Sequence, residues 1–257
     1  MIETGITIEG IAPYVDENGI VRTAVHSFKD LGLILAAYYI PEPKVKDRRV
    51  SIPFASGSVD LTEGAGYIPY EDRDGVSFEF IMKNKDYYEY HAKIQKLNNM
   101  LHGRKLKVIL DSDPSYYYFM RLHLDEDKHD KIFSKVKITG STDPFKYDLI
   151  ASNEPWLWNP FNFYTGEIQE TTADVIVNGT KDILIRAGGY STSPTFYVYE
   201  STNLAVTFDE NTFQLPKDNT KAYETYRFPQ IKVGTEEATL RFTGIGKVSV
   251  EYRGRYL

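Results

Sequence analysis

The residues best equipped for chemistry lie close together. Between Asp111 and Asp130 the chain reads DSDPSYYYFMRLHLDEDKHD: three tyrosines and a phenylalanine in a row, then two histidines among acidic side chains. Imidazoles and carboxylates are metal donors, so His123, Asp125, Glu126, Asp127, His129 and Asp130 are the first candidates for a metal centre. They fall between two strand-like runs, however, where a polar hairpin tip is the plainer expectation. The remaining histidines, His26, His91 and His102, make no pair with ligand spacing. No metal and no other cofactor is expected.

Other chemistry finds no footing. GxSxG and HExxH are missing, and Gly246-Lys247 has Arg241 where a phosphate loop needs its first glycine and Val248 where it needs Ser or Thr. Zero cysteines exclude disulfides, thiolate metal sites and cysteine nucleophiles together. Any two of the 36 acidic residues could meet in space, so paired carboxylates for sugar hydrolysis carry no information here. Asn178-Gly179-Thr180 fits the glycosylation pattern, but Asn-Gly is placed as a hairpin turn. The chain is not expected to be an enzyme.

What positions these residues follows from composition and pattern. At 257 residues, 42% hydrophobic and 26% charged, the chain is an ordinary globular protein with room for one large β domain or two smaller ones. The net charge of −6 opposes a sequence-independent grip on nucleic acid, despite the short basic runs KVKDRR from Lys44 and RKLK from Arg104. No apolar run of membrane-spanning length occurs, so no membrane insertion is expected, and MIETGITIEG lacks the features of a signal peptide. The 14% aromatic content favours strands and interfaces.

Along the first half, Leu31 to Ile40, Arg49 to Phe54, Val59 to Leu61 and Val76 to Met82 read as strands, with Thr62 to Asp74 as a long loop or arm. From Asp86 to His102, Tyr90, Ile94, Leu97 and Leu101 recur at helical spacing. Asp86 and Glu89 form a capping box, and Gly103 supplies the stop. Strands follow at Leu106 to Leu110, Ser115 to Leu124 and Lys131 to Thr139, with the acidic histidine stretch as their connection. Beyond a boundary near 141 to 150 the texture becomes antiparallel strands. Hairpins are expected across Asn178-Gly179 and across Gly244-Ile245-Gly246, and the strand count suits a two-sheet sandwich.

The aromatic strand has two apolar faces. Tyr116, Tyr118, Met120 and Leu122 point one way; Tyr117, Phe119 and Arg121 point the other. The Tyr118 face should join Ile138 in the core, leaving Tyr117 and Phe119 for the helix or a neighbouring subunit. Trp156 and Trp158 are open to two readings, packing between domains or stacking on a glycan.

The order of these elements resembles a known family. HSFKDLGLILAAYYIPEPKVKDRRVSIPFASGSVDLTE from His26, VSFEF from Val76, the helix ending KLNNMLHG, the DSDPSYYYFMRL strand and TGSTDPFKYD resemble the distal tail protein of long-tailed, non-contractile bacteriophages and related prophages. The resemblance covers about residues 20 to 148. It implies a mainly β chain, with a tail-tube-like β-sandwich or split barrel over 1–142 carrying one helix at about 86–102, and a galectin-like antiparallel β-sandwich over 143–257. It further implies a structural protein forming a homohexameric ring at the tail tip of a virion assembled in the bacterial cytoplasm.

In such a ring the tail tube protein sits on one face and the tail-associated hub or lysin protein on the other. Receptor-binding proteins attach peripherally, and the tape-measure protein and DNA pass through the lumen. Carried onto this sequence, the arm and the aromatic strand place inter-subunit contacts at Phe54, Tyr67, Ile68, Tyr70, Tyr117 and Phe119, and the domain exit at Asp143, Pro144, Phe145, Lys146 and Tyr147. Relatives often carry a glycine and a charged residue where this chain has Phe54-Ala55-Ser56, so the local turn is its own. The competing reading is an adhesin whose C-terminal sandwich binds host-surface glycans, with Trp156 and Trp158 as stacking residues.

Overall fold

The computed structural model describes residues 5–16, 18–54, 56–64, 66–128, 133–154 and 172–257, with 126–128 as backbone only. In chain order the elements are β1 (Ile6–Val15), β2 (Val21–His26), β3 (Leu33–Tyr39), β4 (Arg49–Ser51), β5 (Ser58–Asp60), β6 (Arg73–Lys83), α1 (Tyr87–Leu101), β7 (Lys105–Leu110), β8 (Asp113–Lys128), β9 (Phe133–Thr142), β10 (Lys146–Asp148), β11 (Val175–Ile185), β12 (Thr195–Phe208), β13 (Asn211–Gln214), β14 (Glu224–Arg227), β15 (Ala238–Glu251) and β16 (Arg255–Tyr256). The chain divides into two compact units, Met1–Lys146 and Tyr147–Tyr256.

The first unit is an antiparallel sheet in the order β2-β1-β7-β8-β9-β6-β3. Flat, its two edge strands would stand about 29 Å apart at the usual interstrand spacing. Yet Leu33, the first residue of β3, donates its backbone N–H to the carbonyl of Ser27, just past β2, at 2.8 Å. The sheet therefore curls until its edges meet at one end, which makes a split barrel. Strand alternation fills it: Val76, Phe78, Phe80 and Met82 from β6, Val136 and Ile138 from β9, and Tyr118, Met120 and Leu122 from β8 are all buried. Ile8 and Ile11 both point inward although three residues apart, because Gly10 between them adopts φ 84 and shifts the phase of β1. Ser134 is a polar residue on the inward face of β9; it is buried and donates to Asn84 Oδ1 at 2.7 Å.

The helix forms where its local signals place it. Asp86 accepts from the Glu89 N–H at 2.8 Å, while the Glu89 carboxylate accepts from the Lys85 N–H at 2.7 Å. Gly103 takes φ 75 after the last turn. Tyr90, Ile94, Leu97, Met100 and Leu101 are buried in the barrel core.

The second unit corrects both expected hairpins. Asn178-Gly179 lies in the middle of the continuous strand β11, and Gly244-Ile245-Gly246 in the middle of β15, with Asn178 opposite Ile245 and Gly179 opposite Gly244. On the far side of β15, β12 bulges between Thr202 and Ala205, and Asn203 takes φ 53. The turn-like residues thus form a line of bends across a five-stranded sheet. A Cβ on Gly244 would stand 2.3 Å from the Asn203 carbonyl oxygen, so that position has no room for one.

The consequence is visible in the core. Phe196 pairs with Val250, eight positions along β15 from Phe242. In a straight strand that separation is about 27 Å, yet the Phe196 and Phe242 rings are 6.3 Å apart. The sheet folds over itself along the glycine line, and its two halves become the layers of a sandwich around Phe196, Val198, Val206, Leu240, Phe242, Val248 and Val250.

Three further readings need correction. Strands β1 and β2, before Leu31, were not anticipated. The acidic histidine stretch is not a turn up to Lys128, since β8 runs through it and pairs with β9 as far as Lys128 opposite Lys135. The arm is not the single loop Thr62 to Asp74: β6 already begins at Arg73, and the projection is a two-legged ribbon that includes β4 and β5.

Candidate assembly interface

The ribbon between β3 and β6 is built from its own two legs. Lys46 N–H donates to the Pro69 carbonyl at 2.9 Å, Glu71 N–H to Lys44 at 2.7 Å, and Val45 bridges Tyr70; nearer the tip, β4 pairs with β5 in a sheet of their own. Arg49 reaches toward Asp47 and Asp60, and Thr62 accepts from the Arg48 N–H at 3.0 Å. An isolated two-stranded hairpin is marginal in water without a packed face. This one leaves Val45, Val50, Ile52, Phe54, Val59, Leu61, Tyr67 and Ile68 exposed.

The tip concentrates the anomaly. Phe54 is 110% exposed and has φ 67. A left-handed backbone costs a bulky L-residue about 1–2 kcal/mol, and an exposed phenyl ring returns nothing to the isolated chain. A residue that is both strained and unburied is placed for something outside its own core.

The legs are gathered at their root by Arg73, which is buried. Its Nε donates to the Pro144 carbonyl at 2.9 Å and its Nη1 to the Pro41 carbonyl at 3.2 Å. One guanidinium thus ties the outgoing leg to the exit segment. Tyr70 packs edge-on against Phe145, with ring centres 6.0 Å apart. Asp143 accepts from Lys105 Nζ at 3.1 Å, and Lys146 pairs with Asp113 at 2.7 Å. Arg73 was not singled out in the sequence; a lone arginine inside an arm-like loop gives no local sign of burial.

Tyr117 and Phe119 lie on the outward face of β8, opposite the side that joins α1 in the core. Tyr117 is buried and Phe119 half-buried, and their rings meet edge to face at 5.1 Å. Lys107 Nζ stands 4.8 Å over the Tyr117 ring while paired with Glu9, and Lys105 Nζ stands 5.4 Å over Phe119. Lysine stems and ammonium groups from β7 cover these rings, an option that neither the helix nor the neighbour reading had included.

Of the metal candidates, His123 and Asp125 are those whose side chains are described. His123 packs edge-on against His102 at 5.3 Å, and His102 Nδ1 accepts from the Leu124 N–H at 3.3 Å. His129 and Asp130 lie outside the described residues, as do Trp156 and Trp158. Among the described residues no three His, Asp or Glu side chains gather in a metal-binding group, and no helix is long and apolar enough to cross a membrane.

The sequence matches no family model, and no curated protein is significantly similar to it. The fold does have counterparts among solved structures. The SPP1 Dit protein (gp 19.1), described as a paradigm of the hub adsorption apparatus in phages that infect Gram-positive bacteria, superposes with a TM-score of 0.54 at 14% identity. The match covers 98% of this chain and 99% of that one, so both units are shared in fold.

Proposed function

We propose that this protein is a structural hub of a phage tail, acting by geometry rather than by catalysis. The observation that carries the reading is the ribbon: an apolar projection with a strained, fully exposed phenylalanine, set in a fold shared end to end with SPP1 Dit. Six copies in a closed ring would each lay a ribbon against a neighbour, through Phe54, Tyr67, Ile68 and Tyr70, with the Tyr117–Phe119 face nearby. Cyclic repetition turns one moderate contact into a stable assembly, because no copy has a free end.

In this role the first unit, ending at the Asp143–Tyr147 exit, forms the ring between the tail tube protein and the tail-tip hub or lysin protein. The second unit is peripheral and serves as the anchorage for receptor-binding proteins. The lumen passes the tape-measure protein and then DNA, and an acidic chain of net charge −6 gives the DNA no adhesive surface. The site of action is the virion tail tip.

Solution mass tests the proposal. Sedimentation equilibrium of the purified chain, alone and mixed with its tail-tube subunit, is expected to give a species of six times 29.5 kDa in at least one condition. A monomer in both, across the concentration range, overturns the ring.

A further inference from the structure

The outward face of the second unit's sheet carries a feature the ring does not use. Tyr197 and Tyr199 on β12 and Tyr223 just before β14 come together there. Tyr223 lies 5.6 Å from Tyr197 and 6.0 Å from Tyr199, with ring planes tilted by 74° and 60°. At those tilts the rings form a corner instead of stacking on one another, and Tyr199 and Tyr223 remain 36% and 48% exposed.

Polar groups edge the corner in fixed positions. Tyr197 donates its hydroxyl to the Glu251 carboxylate, which also has Arg253 Nε at 3.9 Å. Lys247 Nζ stands 5.6 Å over the Tyr199 ring and pairs with Asp174 at 3.1 Å. The strand-borne members are fixed by register, with Lys247 opposite Glu200 and Glu251 opposite Thr195, while Tyr223 immediately precedes β14 and Asp174 immediately precedes β11.

We infer that this corner is a saccharide-binding platform for β-linked hexopyranose units. In the gluco configuration such a sugar is flat, with all ring substituents equatorial, so each face presents axial C–H groups to an aromatic ring while its rim presents hydroxyls. The tyrosines supply the apolar surface, and Glu251, Lys247 and Asp174 supply an acceptor, a donor and a second acceptor at the edge. A protein partner fits less well. Tyr199 and Tyr223 together expose on the order of 200 Å², against about 800 Å² per side for a stable protein interface with an apolar centre. A small amphipathic ligand matches both the size and the mixed polarity. The site belongs to a single chain and does not depend on ring assembly.

Saturation-transfer-difference NMR on the full chain tests this, with cellotetraose and tetra-N-acetylchitotetraose as probes. At least one probe is expected to receive saturation at its axial ring protons. The Tyr199→Ala/Tyr223→Ala variant should lose at least tenfold of that signal, and Tyr223→Ser alone should weaken it. Tyr88→Ala, which removes an exposed tyrosine from α1, should change nothing. No transfer to either probe at millimolar concentration overturns the inference. So does transfer that survives the double replacement, or that Tyr88→Ala abolishes equally.

Discussion

Replacing Phe54 by glycine separates the two demands made on the ribbon tip. Glycine adopts positive φ freely, so the change relieves about 1–2 kcal/mol of backbone strain and returns about 0.5–1 kcal/mol through the greater freedom of the unfolded chain. Because the ring is 110% exposed, no intramolecular burial is lost. The isolated chain should be unchanged or more stable, by about 0 to 1.5 kcal/mol on these terms. Assembly should move the other way. Burying a phenylalanine side chain against a neighbour contributes about 1.5–3 kcal/mol, or roughly ten- to 150-fold in each pairwise contact, and a closed ring of six loses that contact six times. The assay is scanning calorimetry of dilute chain beside mass photometry of the assembled form over a dilution series. The expected result is an undiminished thermal midpoint with dissociation at markedly higher concentration. A ring that persists to the same dilution as the wild type refutes the reasoning, and so does a midpoint lowered by several degrees, which would mean Phe54 packs within its own chain.

Two other consequences concern the second unit. Gly244→Ala places a Cβ 2.3 Å from the Asn203 carbonyl at a position with φ 105, so the fold-over of β15 should be destabilised by about 2–4 kcal/mol; the thermal transition of the second unit should fall while that of the first stays in place. Tyr197 is pushed up to about 12, first by its hydrogen bond to Glu251 and then by burial. Its folded pKa thus lies above the ordinary phenol value, so its contribution to stability is complete below about pH 10 and is lost as pH rises toward 12. Absorbance titration near 295 nm should show a late-ionising tyrosine fraction, to which Tyr118 and Tyr252 also contribute through burial, and only the Tyr197 part of it should shift earlier in Glu251→Gln.

The elements legible in the sequence are those whose signals are local. Asp86, Glu89 and Gly103 specify a helix through hydrogen bonds and a backbone angle within a few residues, and the structure places α1 between them. The alternation Val76, Phe78, Phe80, Met82 marks an inward face without reference to any partner strand. Asn178-Gly179 and Gly244-Ile245-Gly246 misled for a physical reason. A tight hairpin and a sharp bend in a long strand both call for positive φ and a missing Cβ, and only the strand lying opposite decides between them. Gly179 faces Gly244, and both take positive φ where the two strands bend together. That pairing spans some sixty-five residues and is invisible to a local reading. The ribbon failed differently: Val50, Ile52 and Phe54 alternate like a core strand, and nothing in alternation tells whether the apolar face meets the chain's own core or another molecule.

The proposed assembly would exploit this last ambiguity. Each unit closes its own hydrophobic cluster, so apolar side chains left outside are not there for want of a core. Some of them lie on strand and helix faces, and two groups stand at hairpin ends, Val15, Ile20 and Val21 around the β1–β2 turn and Val50, Ile52 and Phe54 at the ribbon tip. Tyr117 and Phe119 stand apart from this group, because Lys107 and Lys105 already cover their rings within the same chain. The two sets of aromatic contacts therefore differ in kind: the ribbon tip carries surface that only a second molecule can bury, whereas the β8 face is already half satisfied. Assembly energy should sit mainly in the ribbon, and a neighbouring copy that reaches β8 must displace or share the two lysines to gain more.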